Sequence, residues 1–63
     1  PWQGTVRTPQ GGSLNLRAAP GTRADVVALL PNGAKVTVYG RYQEWYTVGY
    51  NGKLGYAYAD FIV

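Results

Sequence analysis

Short stretches in which apolar and polar residues alternate are the feature that most restricts the fold of this chain. Such alternation runs through residues 14–17, 35–39 and 45–50. A period of two places one set of side chains inside a sheet and the other outside. No segment shows the 3.6-residue period of a helix, and nine glycines and four prolines separate the apolar stretches. The sequence therefore predicts an all-β domain of short strands.

Two turn signals indicate where strands end. Asn51-Gly52 lies between two β-prone runs, and both residues tolerate the positive φ that a type I′ hairpin turn requires. Pro31-Asn32-Gly33 predicts a second turn, because proline restricts φ and glycine can adopt the left-handed region.

The remaining segments complete the predicted order of elements. We expect a first strand at about residues 4–8, a flexible connector at 11–13 and a loop at 18–25. A single 3-10 turn is expected at residues 58–61, before a last short strand. Five to seven short strands with a long loop after the second fit a small SH3-like barrel, which leaves few strand edges exposed. An OB-type barrel is the alternative, but it usually needs more length and a helix between strands.

The length of 63 residues allows one domain, to which we assign residues 1–63. Because the chain opens on Pro1-Trp2-Gln3, we interpret it as a module excised from a longer multidomain protein. Residues 1–3 are then expected to be a linker remnant, and any export signal would lie upstream. No run approaches the roughly 20 apolar residues of a membrane span, so we expect no membrane partner.

The residues needed for catalysis or metal binding are scarce. The chain has neither cysteine nor histidine, which removes disulfides, nearly all structural zinc sites and Cys/His or Ser/His catalytic pairs. Its carboxylates are Asp25, Glu44 and Asp60, in three separate predicted loops. A general acid and base would have to converge on one substrate. We therefore expect a non-enzymatic domain with no metal site and no cofactor.

The charge balance is mildly positive, at +3 from six basic and three acidic residues. The basic residues are dispersed, with no adjacent pair. This balance suits an anionic partner such as a cell wall or a nucleic acid, although solubility alone also explains it.

Aromatic residues are the candidates for a binding surface, since nine of the 63 residues are Trp, Tyr or Phe. Valines and leucines already fill the inward positions, and alternation turns Trp45 and Tyr39 away from the core. A large apolar face with a polar tip suits recognition of sugars and peptides. Tyr46 and Tyr56 are expected instead to cover the barrel. For Trp45, Tyr42 and Tyr58 both interpretations stay open.

The order of motifs along the chain resembles one family. Residues 14–20 read L-N-L-R-A-A-P, and W-Y-T-V, N-G and G-Y-A follow at 45–48, 51–52 and 55–57. This order resembles the bacterial Src-homology-3 (SH3b) family, which typically reads L-N-V-R-x-x-P, W-x-K-V and N-G-x-x-G-W-V. The resemblance covers about residues 4–62. It implies a small β-barrel that binds bacterial cell wall and tethers a hydrolase to it, in a secreted or envelope protein on the extracellular face of a bacterium.

Eukaryotic SH3 domains are similar in the W-W-x-A and G-Y-I-P-S-N-Y-V segments that supply their ligand groove. By that similarity Trp45, Tyr58 and Phe61 would line a groove, while Val48, Ala57 and Ile62 would lie in the core. The A-L-Y-D-Y motif, which supplies two groove tyrosines, is absent here. The long loop also has a single acidic residue in place of an acidic cluster. Both departures argue against proline-rich peptides as ligands.

Arg17 begins the long loop and has two interpretations. It could hold the loop by donating hydrogen bonds to backbone carbonyls or to Asp25, or it could bind a wall carboxylate with two hydrogen bonds. Asn15 is expected to bond neighbouring backbone. The candidate ligand-binding residues are thus Trp45, Tyr58, Phe61, Tyr42, Tyr39 and Arg17.

Three functions are compatible with these features. The first is a module that targets an attached peptidoglycan hydrolase to the wall by recognising peptidoglycan stem peptide or cross-bridge. The second is a domain that docks on a partner catalytic domain and regulates access to its active site. The third is a small basic barrel that binds nucleic acid, but the dispersed charge argues against it.

Overall fold

The computed structural model describes all 63 residues and consists of one antiparallel sheet. Its strand order is β1-β4-β5-β6-β2-β3, and a single 3-10 turn follows the last strand. The all-β prediction, with an SH3-like barrel and one 3-10 turn, is confirmed. The elements are β1 Trp2–Thr5, β2 Leu14–Arg17, β3 Val26–Leu30, β4 Lys35–Tyr42, β5 Trp45–Tyr50, β6 Lys53–Tyr58 and the 3-10 turn Ala59–Phe61.

The first strand begins earlier than the sequence suggests. Trp2 and Gln3 pair with Val38 and Thr37 of β4, so these two residues are part of the sheet rather than a linker. The strand also ends earlier, at Thr5. Beyond it the amide of Val6 donates to the carbonyl of Ala34 at 2.9 Å, and the amide of Thr8 donates to the side-chain oxygen of Asn32 at 3.0 Å.

The end of the chain lies beside β1 and helps to close the barrel. Thr5 and Val63 exchange backbone hydrogen bonds of 2.7 and 2.9 Å, and Arg7 donates to the carbonyl of Phe61 at 2.8 Å. The expected last strand is reduced to an isolated bridge between Val6 and Ile62. These bonds cover one edge of the sheet and leave β3 as the other edge.

The core is small and made entirely of apolar side chains, with no buried polar residue. Alternation accounts for it, because every inward position of β2 and the first inward positions of β4 carry a leucine or valine. Tyr46 packs against this core, as expected of an aromatic that covers the barrel. The core residues are Val6, Leu14, Leu16, Leu30, Val36, Val38, Val48, Ala57 and Ile62, which include the three positions expected from the resemblance.

The approach of β2 to β6 requires a residue without a side chain at Gly55. A Cβ atom there would lie 2.6 Å from the carbonyl oxygen of Arg17 and 2.9 Å from Cγ of Leu16. These two strands share a single register pair, Arg17 with Tyr56. Gly55 therefore allows β2, and the loop that follows it, to lie directly against β6.

The hairpin between β5 and β6 has the geometry that Asn51-Gly52 predicts. Asn51 has a φ of 53° and Gly52 a φ of 80°, so both turn residues are left-handed. We expect Gly52→Val to destabilise the fold by more than about 1 kcal/mol, because a β-branched residue resists positive φ. Thermal and urea unfolding would measure the change. The matched control is Asn51→Gly, which keeps positive φ available, and equal stability of Gly52→Val and the parent would contradict the prediction.

Candidate functional site

A groove of about 440 Å³ lies between the start of β2, the long loop and the open end of the β5–β6 hairpin, where β5 begins and β6 ends. Its lining combines one aromatic side with one largely polar side. The lining residues are Ser13, Leu14, Asn15, Arg17, Thr22, Trp45, Tyr58 and Phe61.

The aromatic side is built from neighbouring strands and the 3-10 turn. Trp45 and Tyr58 are register partners across β5 and β6, with ring centroids 5.4 Å apart and planes at 84°. Tyr58 and Phe61 continue the row at 5.7 Å and 44°. The turn that carries Phe61 is held by a hydrogen bond from the Ala59 amide to the Glu44 carbonyl, at 2.8 Å. All three rings are half-buried, so each keeps an exposed face.

The polar side depends on Arg17, which holds the loop and also lines the groove. Its Nη1 donates to the Ala24 carbonyl at 2.9 Å, and the Ala18 amide donates to the Asp25 carbonyl at 2.8 Å. A guanidinium has five N–H donors, so this bond leaves others for a ligand. The structural role of Arg17 as a loop anchor and its position in the groove are therefore compatible.

Asn15 differs from its expected role. None of the side-chain hydrogen bonds in the structure involves Asn15, so its amide is not bonded to neighbouring backbone. The side chain lines the groove instead, where the amide offers both donors and an acceptor to a ligand.

Four of the six candidate residues meet in the groove, and two do not. Tyr42 is the register partner of Trp45 but is 56% exposed and lies outside the groove lining. Tyr39 lies toward the other end of the sheet, where it lines a second depression. Ser13 of the connector and Thr22 of the long loop were missed, because their place in the groove depends on how these segments fold against the barrel, and no local sequence pattern marks it.

The acidic residues stand apart on three segments and are all exposed. Asp25 ends the long loop, Glu44 precedes β5, and Asp60 lies in the 3-10 turn. The structure has no group of three or more acidic residues that could hold a metal ion. The groove thus offers aromatic faces, amide and hydroxyl groups and one guanidinium, which are the components of a binding surface.

Comparisons with known proteins show which family and which solved structures this chain is similar to. A sequence model described as the bacterial SH3 domain matches residues 12–63. A search of curated proteins found no match. The chain is similar in structure to NlpC2 from Trichomonas vaginalis, with a TM-score of 0.85, 18% identity and 97% of this chain covered. It spans 22% of the length of that chain. At this identity the likeness shows the shared fold. The chain itself has no helix with the length and hydropathy of a membrane span.

Proposed function

From the premise that this chain belongs to the bacterial SH3 domain family, we propose that it recognises peptidoglycan stem peptide or cross-bridge through the groove. Bacterial SH3 domains are typically non-catalytic binding modules associated with the cell wall. In this proposal the module holds an attached peptidoglycan hydrolase near its substrate, in the cell envelope or outside the bacterium. The observation that carries the proposal is that the row Trp45–Tyr58–Phe61 lines the same groove as Arg17.

The chemistry of the two sides fits short wall peptides. Stem peptides and cross-bridges are flexible, with small side chains and carboxylates, and therefore offer little apolar area to bury. Exposed aromatic faces take up the small apolar groups, and the free N–H donors of Arg17 suit a carboxylate. The groove is open, so a single module should bind weakly. Attachment to an enzyme acting on the same wall would raise the effective concentration.

Attachment to a larger protein is supported by the structural comparison. In NlpC2 this fold occupies 22% of the chain, so there it is one part of a longer protein. A fused catalytic domain would be the partner that the module delivers to the wall.

A second function, docking on a partner catalytic domain, is favoured by strand β3. This edge strand presents exposed side chains of Val26, Val27 and Leu29, with Leu29 at 60% exposure. Edge strands with apolar side chains are prone to pair with other chains. In this function β3 would be covered by the partner domain, and the groove would remain free for the wall.

Sedimentation with purified sacculi tests the wall-binding proposal. We expect the 63-residue chain to sediment with sacculi at low salt. It should not bind a proline-rich peptide array, because the two A-L-Y-D-Y tyrosines are absent. Sacculi of several cross-bridge types, and sacculi stripped of peptides by an amidase, would identify the component bound. If the chain associates with none of the sacculus types, the proposal is contradicted. Tight binding to a proline-rich peptide would show that the ligand of the groove is such a peptide and not a wall peptide.

A further inference from the structure

A second depression, of about 350 Å³, lies at the tip of the β5–β6 hairpin. It is bounded by β4, β5 and β6, and we refer to it as the hairpin site. Trp45 of the groove and Gly49 of the hairpin site both lie on β5, four residues apart, which separates them by about 13 Å. The residues of the hairpin site that matter below are Thr37, Tyr39, Gly49, Asn51 and Lys53.

Tyr39 provides a fixed aromatic platform in the hairpin site. The register between β4 and β5 shifts from Val38–Val48 to Gly40–Thr47, so Tyr39 is the extra residue of a β-bulge. Bulges change the direction of a side chain. The ring of Tyr39 lies over the backbone of Gly49, since a Cβ atom there would come within 2.9 Å of Cε2. The ring is nevertheless 57% exposed, so one side rests on β5 and another is open to a ligand.

Polar side chains without internal partners surround this ring. Thr37, Asn51 and Lys53 line the hairpin site, and none of them takes part in a side-chain hydrogen bond within the protein. The backbone of Asn51 is held in the left-handed conformation of the tight turn. A hydroxyl, an amide and an ammonium beside an aromatic face match a pyranose ring, because its C–H groups pack on the aromatic face while its hydroxyls form hydrogen bonds at the edge.

The charge around the hairpin site is positive. Lys53 lies in its lining, and no acidic residue does. The three acidic residues lie elsewhere, on the long loop, before Trp45 and beside Phe61. Lys53 is thus the one charged side chain in the lining of the hairpin site. Lys53 therefore favours a sugar that carries an acidic substituent.

We propose that the hairpin site binds one pyranose ring of an acidic glycan, with Tyr39 stacking on the sugar and Lys53 pairing with its acidic group. This inference concerns a site other than the groove. It does not depend on which wall peptide the groove binds.

Amide-resolved NMR titration with two oligosaccharides of equal length tests the proposal. Tetragalacturonate is the acidic probe and chitotetraose the neutral one. We expect tetragalacturonate to shift the amides of Asn51, Gly52 and Lys53, with a dissociation constant of about 1 mM, and to leave the indole signal of Trp45 unchanged. Chitotetraose should shift the same amides, with an affinity about threefold weaker. The absence of shifts at these amides with both probes would overturn the proposal, and equal affinity would overturn its acidic specificity.

Three variants separate stacking from charge. Tyr39→Ala should weaken tetragalacturonate binding about tenfold. Lys53→Gln should weaken it about threefold and remove the preference over chitotetraose. Tyr42→Ala is the matched control, an exposed tyrosine of the same strand outside the hairpin site, and should bind like the parent. If Tyr39→Ala fails to fold, Lys53→Gln decides, because its side chain is exposed and unbonded. Unchanged preference in Lys53→Gln would overturn the assignment.

Discussion

Replacing Gly55 with alanine is expected to destabilise the fold by about 3 kcal/mol, because the added methyl group has no space. It would overlap the carbonyl oxygen of Arg17, at 2.6 Å, and Cγ of Leu16, at 2.9 Å. The first contact is with backbone, which cannot rotate away as a long side chain can, so β2 and β6 would have to separate. A domain of 63 residues has a total stability of only about 3–9 kcal/mol, so the variant should lose about a third or more of it and melt at a clearly lower temperature.

The matched control for this prediction is Gly40→Ala. Gly40 is also a strand glycine, but a Cβ atom there would meet nothing within 4 Å, and its φ is not positive. We expect its free energy of unfolding to stay within about 0.5 kcal/mol of the parent. Urea unfolding followed by tryptophan fluorescence would measure both variants. Equal stability of Gly55→Ala and Gly40→Ala would contradict the close approach of β2 to β6 at Gly55.

Replacing Trp45 with alanine should abolish most binding in the groove while the domain stays folded. Trp45 is half-buried and lies outside the apolar core, and its edge-to-face contact with Tyr58 contributes about 0.5–1.5 kcal/mol. The loss of its aromatic face should weaken binding of a soluble stem peptide at least about tenfold. Isothermal titration with the peptide and a thermal melt on the same preparation would report both effects.

Tyr39→Ala is the control for this second prediction, because Tyr39 is an exposed aromatic outside the groove lining and the probe carries no sugar. Its affinity for stem peptide should equal that of the parent. Unfolding of Trp45→Ala would assign Trp45 a structural role and remove it from the groove proposal. Retained binding in Trp45→Ala, together with loss of binding on charge reversal of Arg17, Arg41 and Lys53, would instead assign the interaction to charge alone.

Local sequence patterns were sufficient to predict most of the strands and the hairpin turn. A period of two is a property of neighbouring residues, and it identified the inward leucines of β2 and the inward valines of β4. Asn51-Gly52 identified the turn because positive φ is a preference of single residues. The placement of Trp45, Tyr58 and Phe61 on one groove followed from family resemblance, and their role in binding stays a prediction.

Features that depend on contacts between distant segments were decided by the tertiary structure. Strand β1 includes Trp2 and Gln3 because β4 offers them partners some 35 residues away, and no local pattern marks this pairing. The position of Tyr39 has the same explanation. Alternation predicted that its side chain points away from the core, but not that a bulge places the ring over Gly49, outside the groove.

The sequence by itself determined the all-β class, the inward and outward faces and the tight hairpin, since these follow from backbone preferences and side-chain periodicity within a few residues. The tertiary structure alone decided how the groove is assembled. Gly55 lets β2 lie against β6, and the bond from Arg17 to Ala24 holds the loop from which Thr22 lines the groove. Such contacts join residues far apart in the chain, and their geometry exists only once the whole barrel has packed.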